Sequence, residues 1–74
     1  MKVLRLVYKG TDKEIMENKN VCTFELHDEN SDSRFKDIAV IVVRCDESER
    51  PLDKAIKCVK ELMKNQDEDY ILQY

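Results

Sequence analysis

The chain has 74 residues, with 13 lysines and arginines against 16 aspartates and glutamates, for a formal net charge of −3. Charged residues make up 39% and apolar residues 42% of it. A chain this short buries only about 60% of its unfolded surface, so residues 1–74 make one small domain with little room for a deep catalytic cleft beside a core.

Lys2–Lys9 alternates, with Leu4, Leu6 and Tyr8 on one side and Val3, Arg5 and Val7 on the other. Period two over a β-branched-rich run predicts a first strand. Gly10-Thr11-Asp12 reads as the turn that ends it, and Lys13–Asn20, where Ile15 and Met16 are adjacent, reads as a loop. Val21–Asp28 is a second strand, apolar through Cys22, Phe24 and Leu26 and polar through Thr23, Glu25 and His27, as in an antiparallel sheet wet on one side. Residues 29–33 form a turn cluster.

Phe35–Cys45 is the third strand. Its run Ile38–Val43 does not alternate, which suits a strand covered on both faces, hence a central strand or one at a subunit contact. Next, Leu52, Ala55, Ile56, Val59, Leu62 and Met63 recur at helical spacing on one stripe. Pro51 suits the first helical position and Asp53 the first turn, Lys60 and Lys64 suit the last turns, and Asn65 suits a left-handed stop. Tyr70–Tyr74 is a last strand with Tyr70, Leu72 and Tyr74 on one face.

The expected fold is α+β in the order β-β-β-α-β: a four-stranded, mostly antiparallel sheet with one helix packed on one face. The crossover makes the last strand parallel to the first and third. The two-faced apolar run favours placing it beside the third strand. A long, weakly protected edge favours homodimerisation.

The longest uncharged apolar run is the six residues of Ile38–Val43, against about 20 for a membrane span, so no membrane association is expected. Arg5 interrupts the leading apolar stretch, so no secretory leader is expected. Cys22, Cys45 and Cys58 are odd in number and lack the CxxC spacing. Reduced thiols and a cytoplasmic location follow, with Cys22 and Cys58 as small core residues.

Cys22 and His27 lie five apart on one strand, so they face opposite sides and share neither a metal nor a nucleophile–base pair. Gly10 is the sole glycine, so there is no glycine-rich phosphate loop. No catalytic, cofactor-binding or metal-binding set is expected, and the chain reads as a non-enzyme.

Two charged surfaces remain. The helix carries Lys54, Lys57, Lys60 and Lys64 away from its apolar stripe, which could track a phosphate backbone in a nucleic-acid-binding or translation-associated domain. No aromatic is interleaved for base stacking, and a pI near 5.1 disfavours this reading. Acidic residues form three clusters: Asp28, Glu29 and Asp32; Asp46, Glu47 and Glu49; Asp67, Glu68 and Asp69. The element order brings the first and third to one end of the sheet, away from any lysine except Lys64. Such a rim steers association with a basic protein surface, with Tyr70 or Tyr74 as an aromatic anchor.

In size, absence of catalytic motifs and carboxylate clusters at 28–32, 46–49 and 67–69, the chain resembles small acidic phage-encoded inhibitors of the anti-CRISPR and anti-restriction type. The resemblance implies a protein that occludes a nucleic-acid-binding site on a host nuclease complex. The lysine-lined helix and modest net charge favour ordinary protein–protein blocking over phosphate mimicry. A homodimeric structural or regulatory subunit is a further expectation.

Overall fold

The computed structural model describes residues 1–30 and 37–74. Within them lie β1 (Lys2–Glu14), β2 (Lys19–Asp28), β3 (Asp37–Cys45), α1 (Pro51–Met63) and β4 (Tyr70–Gln73). They form the expected small α+β domain: one sheet in the order β3-β2-β1-β4, with α1 against one face. β1–β2 and β2–β3 are antiparallel, and β1–β4 is parallel.

The strands keep the expected faces. Leu4, Leu6, Cys22, Phe24, Leu26, Ile41, Val43 and Cys45 point inward and enclose a core with Ala55, Val59 and Met63 of α1. Leu4, Leu26 and Val59 are wholly inaccessible. Thr23, Glu25 and His27 lie on the opposite, open face, where Arg5 is paired with His27 and Val7 with Glu25.

Several details depart from the sequence reading. Gly10 does not end β1. The β1–β2 register slips between Tyr8 and Gly10, and Gly10 adopts φ +151°, so the glycine marks a bulge and the strand runs on to Glu14. A bulge glycine and a turn glycine look alike in sequence. The chain reverses instead at Ile15–Asn18, where Asn18 takes the left-handed φ of 52° and its N–H donates to the Ile15 carbonyl at 3.4 Å. The expected loop over Lys13–Asn20 is thus a turn at Ile15–Asn18 flanked by the two strand ends, Lys13–Glu14 and Lys19–Asn20.

β4 pairs with β1, not β3, which leaves β3 at the edge. Its apolar run is not covered on both faces: Ile41 and Val43 are buried under α1, while Val40 and Val42 are 64% and 57% exposed. β-branched residues favour a strand whether or not a second layer covers them, so an unbroken run does not prove two-sided burial. The start expected at Phe35 falls outside the described residues.

α1 begins at Pro51 as expected, with Asp53 in its first turn. It rests on β3 and, to a lesser degree, β2. Its packed stripe is therefore narrower than the periodicity suggested: Leu62 is 46% exposed and Cys58 is exposed, not a core residue. Asn65 is not a left-handed stop. Lys64 keeps a right-handed φ of −58°, and its N–H bonds the Glu61 carbonyl at 3.3 Å, tightening the last turn.

Tyr8 stays on the inner face, paired with Phe24, but at the border of the helix layer. It is 57% exposed and packs edge-on against Phe24 with ring centroids 5.6 Å apart.

Candidate functional site

Pairing Leu4 with Asp28 and Lys2 with Tyr70 puts the end of β2 and the start of β4 on either side of the start of β1. The Glu29 N–H donates to the Val3 carbonyl at 2.8 Å, and the Lys2 N–H to the Asp69 carbonyl at 3.0 Å. Two strand spacings, about 10 Å, separate the flanking backbones. Asp28, Glu29, Asp67, Glu68 and Asp69 therefore share one end of the sheet. Asp32 lies outside the described residues.

This end also holds cations that the sequence reading did not place there. Arg5 Nε sits 3.0 Å from Glu29 Oε1, and Lys2 Nζ sits 3.9 Å from Glu68 Oε2. The rim is thus partly neutralised. The signal was the start of β1, whose pairing with both acidic segments requires Lys2 and Arg5 to lie between them. Asp67, Glu68 and Asp69 are all exposed. Among the described residues, the Asp67 and Asp69 side chains have no hydrogen bond or ion pair.

The cluster at the opposite end is used internally. Ser48 donates to Asp46 Oδ1 from its hydroxyl at 2.6 Å and its amide at 2.8 Å, which lowers the Asp46 pKa. Lys54 Nζ lies 2.7 Å from Glu49 Oε2 and the Asp46 amide donates to Glu49 Oε1 at 3.1 Å, which lowers the Glu49 pKa and raises that of Lys54. Lys54 also donates to the Arg44 carbonyl at 2.6 Å. These bonds fasten the β3–α1 connection and leave less charge for a partner.

Lys54 is consequently drawn out of the expected lysine face. Lys57, Lys60 and Lys64 remain exposed along α1. Of the two tyrosines, half-buried Tyr70 stands at the acidic end beside Lys2. Tyr74 lies four residues further, about 13 Å along the strand direction. It is 72% exposed and lines an apolar cleft with Leu6, Tyr8, Phe24 and Leu52, so it does not join the acidic end.

Cys22 is buried on the inner face, its Sγ 3.2 Å from Thr11 Oγ1. His27 lies on the open face, where its Nε2 is 3.0 Å from Glu25 Oε1. The pair is split as period two requires. Cys45 is also buried, and burial raises its pKa. No three His, Cys, Asp or Glu side chains converge into a metal site among the described residues. A groove of about 700 Å³ runs between the free edge of β3 and α1, lined by Val42, Arg44, Lys57, Cys58, Glu61 and Leu62.

The chain matches no protein-family model, no curated protein and no solved structure.

Proposed function

We propose that this protein is a non-enzymatic binding module whose acidic end docks on a basic surface of another protein. The observation that carries this reading is the pairing of both acidic turns beside one strand start, with Asp67 and Asp69 unengaged and exposed. Carboxylates that make no internal bonds are available to a partner, and gathered charge raises the association rate. The contrast with Asp46 and Glu49, which are occupied in fastening a loop, supports the choice of end.

In its finer form the partner is a nucleic-acid-handling protein, such as a defence nuclease, whose phosphate-binding groove the acidic end obstructs. Half-buried Tyr70 supplies an aromatic contact at the same end. The lysine face of α1 is the weaker candidate because Lys54 is held by Glu49 and the Arg44 carbonyl.

The test is affinity capture from nuclease-treated extract of the source cells, comparing the native chain with the triple variant D67K/E68K/D69K. All three side chains are exposed, so the variant folds. A protein retained by the native chain and lost by the variant supports the reading. Equal retention by both overturns it.

A further inference from the structure

We infer that β3 is the seam of a homodimer, in which two copies pair their β3 edges antiparallel and their α1 helices pack beside each other over the joined sheet. The surface is separate from the acidic end.

β3 spans nine residues, and among the described residues its outer side has no strand partner. Proteins guard such edges with proline, lysine or a covering element. From Ala39 to Val43 β3 carries none of these residues, and Val40 and Val42 stand exposed. A second apolar contribution comes from α1, where Leu62 misses the core because it faces past the edge of β3.

A second copy is the occupant because the surface is self-complementary. A two-fold contact matches each residue with its counterpart in reverse order. Centred on Val42, antiparallel pairing sets Val42 against the second copy's Val42, Ile41 against its Val43, and Val40 against the stem of its Arg44. The helices follow. Lys54 bonds the Arg44 carbonyl, and α1 returns along β3 in the opposite direction. Two strand residues, from Arg44 to Val42, advance about 6.6 Å, or about four helical residues, which brings Cys58 level with the axis.

In antiparallel helices crossing there, Lys57 of each copy meets Glu61 of the other, giving two symmetry-related opposite-charge pairs. Both line the groove beside β3. Among the described residues neither has an ion-pair partner within its own chain. α1 touches β3 most and β2 less, so its axis sits back from the β3 edge towards β2. With each helix about half a strand spacing back, two copies set their axes about two strand spacings, about 10 Å, apart, the normal helix-packing distance.

Seven strand residues and about five helix residues make up the contact, roughly half the 20–30 per side of a standard interface. The dimer is therefore expected in the micromolar range, in rapid exchange with monomer.

Sedimentation equilibrium from 5 µM to 1 mM tests the inference. The native chain moves from 8.8 kDa to twice that mass across this range. K57E and E61K each weaken association about tenfold by setting like charges together, and the double swap K57E/E61K restores it. V42K, a substitution at an exposed position, abolishes association. A bismaleimide joins two native chains but not two C58S chains. Monomer at every concentration overturns the inference, as does a dimer indifferent to V42K. A dimer that the charge swap fails to restore overturns the proposed helix contact.

Discussion

The side-by-side arrangement of the acidic turns depends on the inner face of β2, so truncating Leu26 is the most informative change to the fold. Leu26 is fully buried, pairs with Leu6 on β1 and Ala39 on β3, and lies two residues before Asp28. Leu26→Ala removes three carbon atoms. At about 0.8 kcal/mol each the transfer loss is about 2.4 kcal/mol, and an unrelaxed cavity brings the cost to about 3–4 kcal/mol. A domain of this length holds about 4–11 kcal/mol in total, with small cores at the lower end. The variant should therefore lose roughly half its stability. Urea unfolding followed by far-ultraviolet circular dichroism measures this as a fall in midpoint at constant slope. Leu62→Ala is the internal control: at 46% exposure it should cost at most about 1 kcal/mol. Equal losses for the two variants, or a loss below about 1 kcal/mol for Leu26→Ala, would refute the packing described.

Three further outcomes follow from particular residues. Gly10→Ala should destabilise by about 1 kcal/mol or more because φ +151° strains any side chain, although the new Cβ would meet nothing within 4 Å; thermal melts detect it. In native protein a thiol reagent at pH 8 should modify Cys58 alone, with Cys22 and Cys45 reacting only on unfolding; mass spectrometry counts the adducts. Asp46 and Glu49 have folded pKa values below their ordinary ones. Their contribution is present above the unfolded values and lost as pH falls through the folded ones. The double variant D46N/E49Q should therefore show a shallower loss of stability below about pH 4, read from melts between pH 2 and 7.

Local pattern carried most of the fold. Period two set the faces of β1 and β2, and Pro51 with the 3.6-residue stripe set α1, because each depends on neighbours along the chain. The failures are non-local or ambiguous in type. Gly10 is a bulge because β2 continues beside it, which no residue near Gly10 encodes. Val40 and Val42 are exposed because, among the described residues, no second layer covers the face they share with Glu25 and Thr23, and β3 is an edge strand because β4 pairs with β1. The same applies to the acidic end. Its convergence followed from element order, while Lys2 and Arg5 became part of it only through the cross-strand register. Tyr74 left it because a strand separates its two ends by length, which an alternation pattern does not weigh.

The most direct measurement of the central claim is a heteronuclear NMR titration of isotope-labelled chain with the protein captured in the affinity experiment. The account predicts that amides of Asp28, Glu29 and Asp67–Tyr70 shift or broaden first, and that the effect weakens as salt rises from 50 to 500 mM. Perturbations confined to Lys57–Lys64 or Val40–Arg44, with the acidic turns unchanged, would contradict it.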